Sequence, residues 1–123
     1  METAYGKKVW VFPDGDRPKE GDFPMKGHES IIILNLNHES AHIKLSLYFT
    51  NKPPIRNISL EVAGERVRCF RTNRPEDMQN VIVDYAEQYA MVLESDVNIV
   101  AQYGKLEASD QPIAYYTVMG YHT

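Results

Sequence analysis

Two neighbouring residues, His28 and Glu29, form the pair in this sequence best suited to acid–base chemistry. An imidazole beside a carboxylate can transfer protons or supply half of a metal site. The pair opens an apolar run typical of a β-strand, and adjacent strand residues point to opposite faces. The two side chains therefore diverge unless the strand begins after them. The competing interpretation is a histidine that binds the backbone of a loop.

The other histidines do not extend this pair into a metal site. They are His38, His42 and His122, and none has the HxH or HExxH spacing that places two nitrogens on one ion. This leaves only a metal site shared between subunits. The sequence also contains no nucleophile elbow, phosphate-binding glycine loop or Ser–His–Asp set. We therefore expect no resident cofactor and no catalytic residues of these kinds.

The densest basic cluster consists of Arg66, Arg68, Arg71 and Arg74. Arg66 and Arg68 share one face of a predicted strand, and guanidinium groups bind carboxylate or phosphate through paired hydrogen bonds. The competing interpretation is a solvated face paired with Glu61, Glu65 and Glu76.

Two further groups can contribute to a binding site. Trp10 is the only tryptophan, and it can stack on a sugar or a base, although an aromatic residue on a strand is more often part of the core. Alternation places it on the same strand face as Phe12. Gln102, Lys105 and Glu107 follow an apolar strand and can orient a ligand at a pocket mouth, or can simply mark where that strand meets water.

Alternating apolar and polar residues predict the elements that carry these side chains. The segment His42–Phe49 shows this best, because every second residue from Ile43 onward is apolar. Similar patterns predict strands over residues 7–12, 29–36, 58–62, 66–71, 97–103 and 114–121. We expect the strand over 29–36 to be central and covered on both faces, since it is continuously aliphatic. Several such strands in a short chain predict a two-layer β fold.

The connections are predicted from turn-forming residues. Pro13–Gly15 is expected to end the first strand, Asn37–Ser40 to form a four-residue hairpin connection, and Ser95–Asp96 to form a turn. Asp16–Gly27 and Glu107–Pro112 are expected to be polar loops.

One segment, Asp84–Glu94, has a mixed pattern. Tyr85 and Tyr89 have helical spacing with Val92 and Leu93, whereas the apolar run that follows favours a strand. The residues alone favour slightly a helical turn over 84–88 that leads into a strand over 89–94.

Size and composition indicate one soluble domain. The chain has 123 residues and a formal net charge of −4, which disfavours binding to DNA or to an anionic membrane without a local basic patch. Its single cysteine, Cys69, cannot form an intramolecular disulfide, and we expect it in the core. No apolar signal segment opens the chain, and no run is long enough to insert in a membrane. We expect a cytoplasmic location.

The order of several short motifs resembles that of the sensory rhodopsin transducer family, small soluble partners of a cyanobacterial sensory rhodopsin. The matching motifs run from about Gly6 to Tyr121. They are Gly6–Gly15, His28-Glu29-Ser30, Leu34-Asn35, Ala41, Tyr48-Phe49, Pro54, Arg66, Arg68, Phe70-Arg71, Asn73, Tyr89-Ala90, Ser95-Asp96-Val97, Ile99-Val100 and Gln102. The chain departs from the family where Lys105 and Glu107 replace an arginine and an aspartate.

This resemblance implies an all-β fold, a single antiparallel β-sandwich domain over residues 1–123, which assembles as a homotetramer. For the ambiguous segment near Tyr89, the resemblance favours a strand over a helical turn. It also implies a protein that is not an enzyme and that binds a small polar, sugar-like metabolite and signals to a protein partner. The site residues expected from the resemblance and the residue chemistry are Trp10, His28, Glu29, Arg68, Asn73, Gln102 and Lys105.

Two alternatives remain open at this stage. One is an enzyme acting on a sugar, such as an isomerase or lyase, with His28 and Glu29 as acid and base. The other is an interaction module that binds DNA or a protein through the arginine stripe between Arg66 and Arg74.

Overall fold

The chain is built from β-strands in a computed structural model that describes residues 3–21, 24–85, 87–108 and 114–123. No helix occurs within these ranges, and therefore none that is long and apolar enough to cross a membrane. The strands are β1 (Lys7–Asp16), β2 (His28–Asn35), β3 (Ala41–Phe49), β4 (Ile55–Val62), β5 (Arg66–Arg71), β6 (Gln88–Glu107), β7 (Ala114–Val118) and β8 (Tyr121–His122).

These strands form two antiparallel sheets that share β6. The first sheet has the order β4-β3-β6-β1-β8, and the second has the order β5-β2-β6-β7. All the strand pairs are antiparallel. The prediction of an all-β antiparallel fold is confirmed.

Both sheets contribute side chains to one hydrophobic core. Ile31 and Ile33 of the second sheet lie in the same buried cluster as Leu45, Leu47 and Leu93 of the first. None of these side chains is measurably exposed. Burial of each such side chain stabilises the fold by about 1.5–3 kcal/mol, so the alternating pattern of β3 is sufficient to fix which face of that strand is inward.

β6 runs without interruption through the predicted turn at Ser95–Asp96, so that prediction is wrong. The first half of β6 pairs with β1 and β3, and its second half pairs with β2 and β7. Ser95 and Asp96 lie where the strand leaves one sheet for the other. In the segment 84–88, where a helical turn is expected, the described residues form a single turn, in which the backbone N–H of Glu87 donates to the carbonyl oxygen of Asp84 at 3.3 Å, and β6 begins at Gln88.

The turn predicted at Pro13–Gly15 is instead an irregularity within β1. The strand continues to Asp16, and its register against β6 shifts between Phe12 and Gly15. A strand accommodates proline at such a bulge because proline has no N–H for the ladder.

The connection Asn37–Ser40 does not form a hairpin, because β2 belongs to the second sheet and β3 to the first. The buried amide of Asn35 holds this crossover. Its Nδ2 donates to the carbonyl oxygens of Glu39 and Val62 at 2.9 and 3.0 Å. The four turn-forming residues predicted that β2 and β3 pair with each other, and this prediction is wrong.

The C-terminal strand expected over 114–121 is divided into β7 and β8, which join different sheets. Gly120 lies between them, and a Cβ built there would lie 2.1 Å from the carbonyl oxygen of Val11. The loop predicted over Asp16–Gly27 carries no strand beyond Asp16 in its described residues. Most of the loop predicted over Glu107–Pro112 lies outside the described residues.

β2 is central in its sheet as expected, but only one of its faces is covered within this chain. Ile32 and Leu34 point away from the core and are half-buried. Their cross-strand partners include Val67, Cys69, Val100 and Gln102. We call this surface the outer apolar face. Cys69 is exposed on it, so the expectation of a core cysteine is wrong.

Candidate functional site

Glu29 is a fully buried carboxylate with four hydrogen-bond donors around it. Its Oε2 accepts from the Tyr103 hydroxyl at 2.5 Å and from the backbone N–H of Asp16 at 2.9 Å. Its Oε1 accepts from the hydroxyls of Tyr89 and Thr72 at 2.6 and 2.8 Å. These five residues form the Glu29 cluster, which ties β1, β2, β6 and the segment after β5 together.

The hydroxyls of the cluster remain protonated donors. Burial, together with the negative charge of Glu29, raises the pKa of both Tyr89 and Tyr103 well above the usual value for tyrosine. Both oxygens of Glu29 are occupied, and the side chain has no exposed surface. The cluster is therefore arranged to hold the fold together, and no oxygen of Glu29 is directed at a solvent-filled space.

His28 does not join Glu29. Its ring Nδ1 lies 2.8 Å from the carbonyl oxygen of Lys26, and the residue is only half-buried. The two side chains diverge as strand alternation predicts. The structure therefore supports the interpretation of a histidine that binds the backbone of a loop.

Lys105 lies directly across from Glu29 in the pairing of β2 and β6. Its Nζ lies 2.9 Å from Glu107 Oε1 and 3.4 Å from Asp16 Oδ2, and the residue is 6% exposed. Burial lowers the pKa of Lys105, but the hydrogen bond to Glu107 and the charge of Asp16 outweigh this, so its pKa is raised. Asp16 contacts both predicted site residues, Glu29 through its N–H and Lys105 through its carboxylate.

Gln102 and Lys105 do not meet. Gln102 is exposed on the outer apolar face, opposite Ile32, whereas Lys105 points inward.

Asn73 comes directly after Thr72, a member of the Glu29 cluster. The buried Oδ1 of Asn73 has no hydrogen-bond partner among the described residues.

Trp10 is a core residue, on the same inward face as Phe12. Its indole Nε1 donates to the carbonyl oxygens of Lys7 and Ile99 at 3.1 and 3.2 Å. Its ring centroid lies 4.8 Å from that of His122 in β8. A ligand could stack on Trp10 only if β8 moved away.

A partly open cleft of about 600 Å³ lies on the described part of the molecule. Most of its lining residues are polar, and the largely buried Leu60 and Phe70 lie beneath them. Arg68 is the one predicted site residue in its lining, which consists of His42, Ile43, Lys44, Ser59, Leu60, Glu61, Arg68, Phe70, Glu76, Asp77, Gln79, Glu94, Ser95 and Asp96.

Arg68 is fixed in place at this cleft. Its guanidinium carbon lies 4.5 Å from the centroid of the Phe70 ring, and its Nη1 donates to the carbonyl oxygen of Glu61 at 2.9 Å. Arg66 similarly donates to the carbonyl oxygens of Gly64 and Glu65. Arg66 and Arg68 are thus both anchored to backbone carbonyl oxygens. The sequence suggested either anion binding or pairing with glutamates, and neither interpretation anticipated these backbone contacts.

His42 occupies the cleft wall between two carboxylates, a site that the sequence analysis did not identify. Its Nδ1 lies 3.3 Å from Asp96 Oδ2, its Nε2 lies 3.4 Å from Glu61 Oε1, and its backbone N–H donates to Asp96 Oδ1 at 2.8 Å. Burial raises the pKa of Asp96, but the hydrogen bonds from His42 outweigh it, so this pKa is lowered. Alternation places His42 on the polar face of β3, but only the register of three strands reveals its partners.

Fold and site together define the class: a small β-sandwich domain with an open polar cleft. In the ranges that the structure describes, no three His, Cys, Asp or Glu side chains are grouped to hold a metal ion. The predicted acid–base pair is not assembled either.

The chain belongs to the Anabaena sensory rhodopsin transducer family, whose sequence pattern matches residues 5–122. It is similar to the crystal structure of Thermotoga maritima 1070, with a TM-score of 0.84, 24% identity and 96% of each chain covered. It is also similar to the structure of the Anabaena sensory rhodopsin transducer, with a TM-score of 0.69 and 28% identity over 82% of this chain and 90% of that one. No curated protein matches the chain. The family predicted from the sequence motifs is confirmed.

Proposed function

We propose that this chain is a non-enzymatic transducer domain that binds a small polar, sugar-like metabolite in the cleft and signals its bound state to a protein partner. The observation that carries the proposal is the cleft itself. Its volume of about 600 Å³ falls within the range typical of small-molecule sites. Membership of a transducer family supports the signalling partner.

The lining suits a neutral, hydroxyl-rich ligand. Carboxylates accept hydrogen bonds from hydroxyl groups, and Arg68 can donate them. Acidic residues outnumber Lys44 and Arg68, which disfavours sugar phosphates and sugar acids. The acidic residues are Glu61, Glu76, Asp77, Glu94 and Asp96.

Binding is favoured over catalysis because His28 and Glu29 do not meet, and because both oxygens of Glu29 are already occupied. The proposal therefore assigns direct ligand contact to Arg68. Glu29 and Lys105 support the architecture from another part of the sandwich.

A thermal-shift screen followed by calorimetry tests this assignment. The panel contains neutral sugars, sugar acids, sugar phosphates and amines, since a ligand that binds only the native state raises the melting temperature. We expect neutral sugars to act and Arg68→Met to weaken their binding about tenfold, the effect of losing about 1.4 kcal/mol.

Arg56→Met is the matched control. Arg56 also lies over an aromatic ring, that of Tyr48, but outside the cleft lining. Its replacement should leave sugar binding unchanged. A folded wild-type protein that responds to no compound in the panel would overturn the proposal.

We propose further that the chain forms a homotetramer through the outer apolar face. Val67 is 63% exposed there although it is aliphatic; Leu34 is its cross-strand partner, and Ile32 and Val100 lie on the same face. In the register of the second sheet, Arg71 is the one arginine, lysine or acidic residue on the described part of this face. Because the chain carries a net charge of −4, an almost uncharged face suits a second copy of itself.

Light scattering coupled to size exclusion tests this interface. Val67→Asp should yield a smaller species, since a buried carboxylate would meet apolar surface. Ile82→Asp, at a position 61% exposed outside this sheet, is the control and should leave the assembly unchanged. A monomeric wild type, or a Val67→Asp variant of unchanged mass, would contradict this assignment.

DNA is the weaker candidate partner. The guanidinium groups of Arg66 and Arg68 already donate to backbone carbonyls. A DNA partner would require binding that weakens steeply with salt, and binding at low salt that survives Arg66→Glu with Arg68→Glu would exclude the stripe as its site.

A further inference from the structure

β7 is an edge strand of the second sheet, and its free side has no partner strand among the described residues. It pairs only with β6, in an unbroken register over Ala114–Val118. All five of its residues are exposed, and they include large apolar side chains: Tyr115 is 59% exposed, and Tyr116 and Val118 are each 44% exposed. The unpaired N–H and C=O groups of such an edge are a template for pairing with another chain.

The opposite edge of the same sheet, β5, is protected. Arg66, Arg68 and Arg71 make up half of its six residues, and charges on an edge strand discourage pairing with a further strand. β7 has the sequence Ala-Tyr-Tyr-Thr-Val, which contains no charge and no proline, and its ladder has no bulge. An exposed apolar edge without these protections indicates an interaction site.

The two faces of β7 differ in their surroundings. Tyr115 and Thr117 are the cross-strand partners of Leu106 and Gly104, so they extend the outer apolar face to the edge of the sheet. Tyr116 lies between them in sequence and points to the other face of the sheet. A strand that paired with β7 would therefore place every second side chain beside an apolar surface, and the others beside Tyr116.

The surroundings of Tyr116 carry an excess of negative charge. Its cross-strand partner is Lys105, whose Nζ lies 2.9 Å from Glu107 Oε1 and 3.4 Å from Asp16 Oδ2. Burial raises the pKa of the Tyr116 hydroxyl, and nearby carboxylates raise it further, although Lys105 lowers it. These carboxylates are Asp14, Glu107 and Asp16. Three carboxylates near one ammonium group suit a basic side chain, which can also lie over the Tyr116 ring.

We propose that β7 is the docking edge for an extended segment of a protein partner in which apolar and basic residues alternate. The segment adds to the second sheet as a further strand, with its apolar side chains beside Tyr115 and Thr117 and its basic side chains beside Tyr116. Main-chain hydrogen bonds supply affinity in this mode of recognition, and the alternate side chains supply specificity. The inference rests on the signalling partner of the proposed function and names the chemistry of that partner.

The test uses a fluorescently labelled peptide of alternating valine and lysine, about seven residues long and so able to span β7. One control peptide has glutamate in place of lysine, and another has the same composition with all the valines before all the lysines. We expect the alternating valine–lysine peptide to bind at least about tenfold more tightly than either control in anisotropy titrations, because only it matches both the faces and the charge. Equal affinity for either control, or no binding of any peptide, would overturn the proposal.

Variants locate the site on the protein. Val118→Lys adds a charge to the edge and should weaken binding about tenfold, whereas Ile82→Lys, at a position 61% exposed outside this sheet, should not. Asp14→Asn should weaken binding about threefold through the loss of one exposed charge. Glu65→Gln, between β4 and β5, is its matched control and should have no effect. Equal effects of a variant and its control would contradict the assignment.

Two further measurements exclude other occupants and other sites. Hydrogen exchange followed by NMR should show slower exchange of β7 amides in the peptide complex, and protection confined to the cleft or to β5 would overturn the proposal. Light scattering should show that the protein keeps its mass when the peptide binds. A fall in mass would mean that the peptide displaces a second copy of the chain from β7, and would also overturn it.

The docking edge and the proposed function fail separately. If a sugar binds in the cleft and none of the peptides binds, the docking edge fails while the binding function stands. If the alternating peptide binds as expected and no sugar does, the sugar-binding function fails and the docking edge stands.

Discussion

The hydroxyl of Tyr103 donates to Oε2 of Glu29 across 2.5 Å, joining β6 to β2 inside the core. Tyr103 is 1% exposed and Glu29 has no exposed surface, so water takes no part in the contact. A buried carboxylate is costly unless hydrogen bonds replace its hydration. Glu29 meets this condition through neutral donors, and the nearby cation, Lys105, bonds to Asp16 and Glu107.

Removing this carboxylate should destabilise the protein strongly. Glu29→Ala leaves the donors of Tyr89, Tyr103 and Thr72 without their acceptor, and we expect the free energy of unfolding to fall by about 3–5 kcal/mol, since each buried donor left unsatisfied costs about 1–3 kcal/mol. Glu29→Gln should cost less, about 2 kcal/mol, since one amide oxygen still accepts. Urea denaturation measures both. Glu65→Ala, at an exposed glutamate, is the control, and equal losses in the two alanine variants would refute a special role for Glu29.

Gly15 should tolerate alanine poorly. A Cβ at Gly15 would lie 2.8 Å from Cζ of Tyr89, so the ring would have to move away from Glu29. We expect Gly15→Ala to cost about 1–3 kcal/mol in thermal or chemical denaturation. Gly104→Ala is the comparison, because the only tight approach of a Cβ there would be to the hydroxyl end of the exposed Tyr115, at 3.0 Å, with Thr117 Cγ2 at an ordinary contact distance of 3.5 Å. A Gly15→Ala protein as stable as Gly104→Ala would show that Tyr89 has room to move.

Alkaline pH should weaken the fold through Tyr89 and Tyr103. Their raised pKa values mean that the folded state keeps both protons where the unfolded chain loses them. Their contribution to stability is therefore complete below about pH 10, the pKa of an unfolded tyrosine, and is lost as pH rises above it.

Near-ultraviolet absorbance of tyrosinate tests this directly. Of the eight tyrosines in the chain, Tyr89 and Tyr103 should ionise only when the protein unfolds, because their pKa values are raised furthest by burial. Smooth ionisation of all the tyrosines in a protein that remains folded would contradict the prediction.

Lys105 should contribute more to the stability of the fold than an exposed lysine does. Lys105→Met removes the ammonium group between Asp16 and Glu107, and we expect a loss of about 1–3 kcal/mol at neutral pH. Because its pKa is raised, this stabilisation persists below about pH 10.4 and disappears as pH rises through the folded value.

Lys52→Met is the control for this variant. Lys52 pairs with Glu87 at 3.1 Å, but its side chain is 42% exposed, and such pairs contribute about 0–1 kcal/mol. Denaturation curves of the two variants at neutral pH provide the comparison. A Lys105→Met protein that loses no more than Lys52→Met would show that Lys105 is not energetically coupled to the Glu29 cluster.

Local pattern predicted the individual strands well where one face is buried. The alternation of β3 and the inward face shared by Trp10 and Phe12 follow from side-chain geometry in a strand, and the structure confirms both. The same reasoning predicted that His28 and Glu29 diverge. The family was also accessible, because the order of short motifs is a property of the sequence.

Turn-forming residues were the weakest guide. Pro13–Gly15 became a bulge and Ser95–Asp96 became a crossing point within β6, since in each case ladder hydrogen bonds on both sides outweighed a local turn preference. Asn37–Ser40 does not reverse the chain, because β2 and β3 both run antiparallel to successive parts of β6 and enter different sheets. A turn signal contains no information about which strands will pair.

The sequence by itself determined the all-β class, most strand positions, the inward faces and the family. Each of these depends on residues close together in the chain or on their order. Only the tertiary structure decided that Glu29 is enclosed by donors from three other segments, and that His42 meets Asp96, 54 residues away. Only the tertiary structure shows, too, that the outer apolar face is not covered within this chain. The reason is that sheet register and strand order arise from packing the whole core, which no local pattern encodes.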